Sequence, residues 1–568
     1  MALAERTSPP AQTPAPARDR GRLLTAAALA LILVAAAILR VWGIRSGLPY
    51  AYNLDERAHF VPHAVAMTAG HLDPGYFINP PAFSYLLAAW LGVLHLGGDV
   101  QRLFAGDPGQ VFLDARALSA ILGVGSVAAT YAAGRAWFGR GAGLLAAAVL
   151  AVGFLPVFYS RLGLNDGPAV LPCALGLWAS AAIFHGGGKK AYAAAGACIG
   201  LAAATKYSDG VIAIAVVAAA LAAPGPRDRR RTLTGLAIAA GVAVLAVIVT
   251  DPYMLRDWGT FTHDLDRQRK FADGAPLIGQ VERNGWIYYA RSLGWALGVV
   301  PALAAVAGGA VLLARRRREA WVFGALVILF WLYMGSQHRF YARWMLPVYP
   351  ALAVLAGYAA TQLRRTPLIA VAAAVLLVPA LVPTVRNAAV MSRQDTRTQT
   401  RDWLVAHVPA STKVVFEPIA PTEWYGVTPG GGPKADPRRR WQRYNRSRAD
   451  ISELARSYRG ARRKADFENY ERTLTPALIG IYRREGYCWV VTGSTQYGRA
   501  QAQPQRAPEA LKYYAALERD ADLVFTASPL RRGAKLPRYQ VDRSFNYVDS
   551  AFARPGPVMK VYRLRNCG

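Results

Sequence analysis

The chain has 568 residues, of which 53% are hydrophobic, and a formal net charge of +31. Several runs nearly devoid of charge reach the ~20 residues needed to cross a ~30 Å hydrocarbon core, which excludes an ordinary soluble multidomain protein. The basic residues sit in short clusters between those runs, the positive-inside pattern of a membrane protein, and no nucleic-acid motif accompanies them.

Residues 1–22 are rich in Pro, Ala and Arg and read as a disordered cytoplasmic tail. Leu23–Ile44 is the first span. A cleaved signal peptide is the competing reading, because basic residues precede it and Ala35-Ala36-Ala37 resembles a cleavage site. The apolar residues continuing through Val41-Trp42 argue against it. Further apolar segments run Phe83–Leu96, Ala115–Phe138, Ala142–Tyr159, Ala169–Phe184, Ala191–Thr205 and Val211–Ala223. They continue at Leu233–Val249, Leu293–Leu313, Trp321–Met334, Trp344–Tyr358 and Leu368–Val385. After Arg386 the composition turns polar, so a membrane domain over residues 23–390 and a soluble domain over 391–568 are expected.

Basic clusters set the topology. They are Arg18/Arg20/Arg22, Arg135/Arg140, Lys189/Lys190, Arg227/Arg229/Arg230/Arg231, Arg315 to Arg318 and Arg364/Arg365, all expected on the cytoplasmic side. Three crossings between Arg22 and Arg135 would put Arg135 on the wrong side, so one segment must fail to traverse. Phe83–Leu96 is the candidate: it is short, follows Pro80-Pro81 and carries His95. About eleven spans remain. Asp55, Glu56, His59, Asp166, Lys206, the loop Asp251–Gly294 and Gln337-His338-Arg339 then share the external face with the soluble domain.

In that domain, β-prone runs at Lys413–Phe416, Cys488–Thr492, Asp522–Thr526 and Val558–Leu564 alternate with helix-compatible stretches such as Ala507–Arg519. The mixture points to α/β or α+β. Gly430–Arg448, rich in Gly, Pro and Arg, reads as a flexible solvated loop. Of the four cysteines, Cys173 and Cys198 fall in hydrophobic runs and are expected to pack as small apolar residues. Cys488 and Cys567 are able to pair if their domain lies outside the cytoplasm.

The chemistry-bearing residues lie at span ends. Asp55-Glu56 follows the first span, and Asp166 follows the span ending in Phe158-Tyr159. A lone acidic pair in a loop is commonly just solvated, but charged groups beside hydrocarbon are costly and are retained for function. A carboxylate there can act as general base toward a hydroxyl. Two carboxylates can alternatively hold a divalent metal, although no His/Cys cluster with zinc spacing is present. Lys206, in Ala-Thr-Lys206-Tyr-Ser-Asp, either snorkels to the interface or offers a compact positive charge to a phosphate. His338, Arg339 and Arg343 stand in Gln-His-Arg-Phe-Tyr-Ala-Arg-Trp, where the arginine forks suit bidentate phosphate contacts and the aromatics suit an interfacial belt.

Asn53-Leu-Asp-Glu-Arg-Ala-His59, Gly70-His-Leu-Asp-Pro-Gly-Tyr-Phe-Ile-Asn-Pro-Pro81, Tyr159-Ser-Arg-Leu-Gly-Leu-Asn-Asp166, Ala204-Thr-Lys206 and Arg339–Pro350 together resemble the membrane glycosyltransferases of the GT-C fold. Within that fold they resemble family 39, which includes the protein O-mannosyltransferases and the aminoarabinose transferase of lipid A. The resemblance implies a bacterial inner-membrane enzyme that moves a sugar from a polyprenyl-phosphate donor to a protein, lipid or glycan acceptor. It implies that Asp55 is the principal catalytic carboxylate, with Glu56 beside it and Asp166 as the second acidic position. Lys206 would lie near the donor phosphate, with His59, His338, Arg339 and Arg343 as substrate-binding candidates. The first external loop of the family carries surface helices, in keeping with a Phe83–Leu96 segment that does not cross. No cofactor is implied with certainty, and a divalent metal stays open. Protein O-mannosyltransferases carry Asp-Glu-x-His and His-Pro-Pro-Leu-Gly-Lys, where this chain has Asp55-Glu-Arg-Ala-His59 and Asn79-Pro-Pro-Ala-Phe-Ser84. The acceptor is therefore not read from the motifs. A transporter or flippase is the competing class, and it predicts internal repeats and mid-membrane polar residues that the sequence does not display.

Overall fold

The computed structural model describes residues 16–225, 228–363, 366–426, 439–444 and 470–567. Its membrane half is helical because the apolar runs satisfy every backbone group internally, the condition for crossing hydrocarbon. Among the described residues, six helical stretches are long and apolar enough to cross: Arg20–Val41, Pro108–Phe138, Arg229–Thr250, Gly285–Ala314, Ala342–Thr361 and Pro367–His407. Shorter apolar helices include Ala82–Leu94, Arg140–Val152, Val170–Phe184, Tyr207–Ala222 and Glu319–Gly335.

The ends of these helices are written locally. Pro108–Phe138 begins at Pro108, the favoured first position, with the Asp107 carboxylate accepting from the Gln110 amide at 3.3 Å. It stops at Gly139, whose φ of +92° suits glycine. Asp228 caps Arg229–Thr250 in the same way, accepting from the Arg231 amide at 3.0 Å. The N-terminal helix starts earlier than composition suggested: Pro16–Val41 is continuous, so 16–22 are helical rather than disordered. The apolar helix propagates into its charged flank, since extending a formed helix adds one hydrogen bond per residue fixed. Residues 1–15 lie outside the described set.

Helices meet where small residues let backbones approach. Gly196 and Gly200, four apart on Lys189–Thr205, face Ala239 and Ala243 of Arg229–Thr250. A Cβ on either glycine would sit 2.3–2.4 Å from a carbonyl oxygen of that neighbour. This is the close small-residue contact typical of membrane helix pairs. Large apolar side chains such as Val244, Leu245 and Val249 instead point outward, exposed. In a bilayer they would face lipid.

Alternate loops gather at two ends of the bundle. At one end Arg231 donates to the Gly186 carbonyl, Arg318 to that of Ala223, and Arg315 Nη1 to Gln362 at 2.5 Å, which collects several basic clusters. The Arg227, Arg364 and Arg365 members of those clusters lie outside the described residues. At the other end lie the loops after residues 41, 159, 205 and 335. Ala82–Leu94 packs against the short helix Val61–Thr68 and touches the Pro108–Phe138 and Lys189–Thr205 helices.

Beyond Met391 the chain builds a mixed six-stranded sheet: β1 Lys413–Phe416, β2 Tyr425–Gly426, β3 Trp441–Arg443, β4 Trp489–Gly493, β5 Ala521–Ala527 and β6 Met559–Leu564. Their order is β2-β3-β1-β4-β6-β5. The first four run parallel, and β6 pairs antiparallel with both β4 and β5. All four strands expected from the sequence are present, as is the helix Pro508–Asp520. The stretch Gly430–Arg448, expected to be a loop, contains β3. Trp441 is buried against Phe416, and that burial outweighs the breaker-rich composition around it. Residues 430–438 and 445–448 of the stretch lie outside the described set. Cys488 and Cys567 are disulfide-bonded, with Cα atoms 5.5 Å apart at the ends of adjacent β4 and β6.

Candidate active site

Four charged side chains from four separate segments join into one chain of contacts. Lys206 Nζ lies 2.6 Å from Asp166 Oδ1, and Arg343 Nε lies 3.7 Å from the same oxygen. Arg343 Nη2 then reaches Asp55 Oδ2 at 3.0 Å. Asp166 and Lys206 are nearly enclosed, whereas the Asp55 side chain is 32% exposed and forms the open end.

Each segment is held from behind. Lys206 ends the Lys189–Thr205 helix, and its extended backbone (φ −155°) turns the side chain out of the helix line. Next to it, Asn165 Nδ2 donates to the Thr205 carbonyl at 2.7 Å, which brings the Asp166 turn alongside. Arg343 opens a 3-10 turn whose Ala342 amide donates to Asp542 of the sheet domain at 2.9 Å, and the Tyr288 hydroxyl donates to the same carboxylate. The guanidinium lies over the Tyr341 ring at 4.7 Å and near that of Tyr159 at 5.8 Å. Such cation–π contacts fix its plane.

Asp55 and its sequence neighbour part company. Asp55 faces Arg343, but Glu56 is completely buried and takes a two-pronged contact from Arg116 at 2.7 and 2.8 Å. Glu56 also accepts from the Gly163 amide at 2.8 Å, while Arg116 Nη1 donates to the Ile44 and Ser46 carbonyls. The Glu56 carboxylate therefore ties the Asp55 loop to the Asp166 turn instead of lining the open site. The sequence motif alone did not point to Arg116, whose only hint is a charged residue inside an apolar helix.

The other candidates flank the charged chain. His59 stacks on Tyr76 with ring centres 5.0 Å apart, and His63 covers the same ring at 5.1 Å. Burial lowers the His59 pKa below 6.5, against the opposing pull of Asp55. Tyr76 accepts from Asn79 Nδ2 at 2.8 Å. Its neighbour Phe77 is pinned by Asp264 through its amide and by the Tyr207 hydroxyl through its carbonyl. His63 and Tyr76 were missed from sequence; the i, i+4 spacing of His59 and His63 was the available signal. His338 and Arg339 do not join the chain of contacts described above. His338 is exposed beside Asp273 at 3.1 Å. Arg339 is buried over the Phe271 ring and donates to the Ala275 carbonyl, holding the 271–275 loop. No group of three His, Cys, Asp or Glu side chains suited to a metal ion occurs among the described residues.

The sheet domain sits on this end. Arg397 stacks over Tyr52 at 3.8 Å, Tyr50 meets Trp424 edge-on, and Arg57 approaches Glu423 at 3.8 Å.

This bundle, with short helices after the first long one and a sheet domain over one end, aligns with the apo oligosaccharyltransferase of Archaeoglobus fulgidus. The TM-score is 0.54 at 13% identity, covering 89% of this chain and 73% of that one. The chain has the GT-C fold. The same Archaeoglobus enzyme in complex with an inhibitory peptide and a dolichol-phosphate aligns at TM-score 0.50 with 12% identity, over 92% of this chain and 75% of that one. A third GT-C structure, ArnT from Cupriavidus metallidurans bound to undecaprenyl phosphate, aligns at 0.46 with 16% identity, over 68% of this chain and 72% of that one. The family model of dolichyl-phosphate-mannose-protein mannosyltransferases matches residues 100–253, the stretch that carries Asp166 and Lys206. No curated protein matches the chain by sequence.

Proposed function

We propose that the chain transfers a sugar from a polyprenyl-phosphate carrier to an acceptor hydroxyl at the extracytoplasmic face of the bacterial inner membrane. One observation carries the reading: the Lys206–Asp166–Arg343–Asp55 chain, with two cations and an open carboxylate at one end of an apolar bundle. Asp55 takes the proton of the acceptor hydroxyl as its oxygen bonds to the anomeric carbon. The bond from that carbon to the phosphate oxygen breaks, and the lipid phosphate leaves with the electron pair. Arg343 and Lys206 stabilise the charge that develops on it. Asp166 holds both cations in place until the donor phosphate competes for them.

Two further observations support the orientation. The Cys488–Cys567 disulfide belongs to an oxidising compartment. The basic loops gather at the opposite end of the bundle, as the positive-inside rule requires of a cytoplasmic face. About eleven spans, with Ala82–Leu94 lying at the surface, fit this arrangement, because a crossing there would put the Arg135 cluster on the opposite side from Arg20 and Arg22. A lipid-phosphate carrier also accords with the dolichol-phosphate held by the Archaeoglobus enzyme. The transporter reading has less support, because the described charged chain lies at helix ends.

The test is transfer from a synthetic polyprenyl-phosphate sugar to hydroxyl acceptors by the purified protein. Asp55→Asn keeps the shape and removes the basicity, so turnover falls by about 10²–10⁴-fold while donor binding stays near wild type. Turnover near wild type in Asp55→Asn rules Asp55 out as the base.

A further inference from the structure

A cavity of about 760 Å³ opens in the sheet domain, within the ~300–1,000 Å³ range of ligand pockets. One wall is the helix Ser494–Ala502, which contributes Tyr497 and Gln501 one turn apart. The neighbouring helix Pro508–Asp520, packed against it, contributes Tyr514 and Glu518. Leu536 and Phe545 edge it, each about two-fifths exposed (40% and 39%).

Of the charged groups around the cavity, Arg397 and Glu518 are already paired within the protein. Arg397 is held by Asp395 at 2.9 and 2.7 Å, Glu518 by Lys560 at 3.0 Å, and Arg538 donates to the Ala502 carbonyl at 3.2 Å. Besides these three charged groups, the lining is apolar and aromatic surface with neutral polar groups. Gln501 Nε2 donates to the Tyr497 hydroxyl at 2.8 Å, and Gln501 itself is exposed. An anionic ligand would find Arg397 already paired and the Glu518 carboxylate in the same lining, which leaves Arg538 as the one lining cation without a carboxylate partner among the described residues. An extended peptide would want a strand edge to pair with, and among the described residues none of β1 to β6 lines the cavity. Neutral hydroxyls with apolar C–H faces match the lining: hydroxyls bond to amide and phenol, and C–H faces stack on rings.

The cavity wall also touches the segment that leads into the charged site. Arg397, part of its wall, stacks on Tyr52, whose hydroxyl pairs with that of Thr398 at 3.1 Å. Tyr52 lies just before Asp55 on the same loop.

We propose that this cavity binds a neutral oligosaccharide and that, on the glycosyl-transfer reading above, this glycan is the acceptor whose end is presented to Asp55. The experiment uses the full-length protein in nanodiscs. Saturation-transfer NMR is recorded with neutral manno-, gluco-, galacto- and arabino-oligosaccharides, and with a Ser/Thr-containing peptide. At least one oligosaccharide is expected to bind. Its affinity should fall about tenfold in Tyr497→Ala, which removes a stacking ring, and in Ala515→Trp, which fills the space from an exposed position. Tyr497→Phe, which keeps the ring, should largely restore it. Absence of binding across the panel, binding indifferent to Tyr497→Ala and Ala515→Trp, or binding of the peptide alone overturns the proposal. Asp55→Asn separates the two readings, because it should abolish transfer and leave oligosaccharide binding intact. If the oligosaccharide binds in the cavity but the wild type transfers no sugar from the polyprenyl-phosphate donor, the cavity assignment stands and the reaction assignment fails.

Discussion

Lys206 and Asp166, forty positions apart in sequence, meet at 2.6 Å with both side chains nearly enclosed. An ion pair in so dry a place is strong only while both partners remain, and it leaves each poised to exchange its partner for another charge. A lipid phosphate arriving at this end of the bundle would find a cation whose counter-ion is shared with Arg343.

Lys206→Ala should therefore weaken donor binding by about ten- to hundredfold, the loss expected for one charge-assisted hydrogen bond of ~1.5–3 kcal/mol. Lys206→Arg should recover part of it. Titration with a fluorescent polyprenyl phosphate measures this directly. Unchanged donor affinity in Lys206→Ala would remove Lys206 from the phosphate site.

Glu56→Gln removes the charge that Arg116 faces in a fully buried setting, and breaking such a pair typically costs about 3–5 kcal/mol. The expected result is a marked drop in thermal stability, with lost activity tracking lost fold. A stable Glu56→Gln protein without turnover would instead give Glu56 a direct chemical role.

The Cys488–Cys567 bond closes a separation of 79 residues, worth about 4–5 kcal/mol on the chain-entropy model. Cys488→Ser with Cys567→Ser should lower the melting transition of the sheet domain by roughly 10–15 °C. Differential scanning fluorimetry with and without reductant checks it, and the double variant should be insensitive to reductant.

His59 gives a pH signature. Its folded pKa lies below 6.5 because burial disfavours the cation. The unfolded chain then binds more protons on acidification. The His59 contribution to stability is thus present above pH 6.5 and lost as pH falls through 6.5 toward the folded value. An imidazole carbon NMR titration should place the midpoint below 6.5; a midpoint above it would mean that Asp55 outweighs burial.

Hydropathy and period alone point to a polytopic helical protein with an α/β or α+β soluble domain, because both signals are local and lipid exposure rewards apolar runs wherever they lie. The parity of the basic clusters, also a sequence property, grouped Asp55, Asp166 and Lys206 at one end before any contact was known. Tertiary structure decided what adjacency cannot. Neighbouring residues on helical backbone point about 100° apart. Asp55 accordingly faces Arg343, while Glu56 turns inward to Arg116. The placement of Arg343 depends on Asp542 from the far end of the chain, a contact with no local trace. Trp441 is a strand residue because β2 pairs with it, its indole N–H reaches the Val408 carbonyl and its ring packs on Phe416, all from other segments. Local chemistry fixed which groups stand at the ends of apolar helices, and packing between distant segments fixed which of them touch.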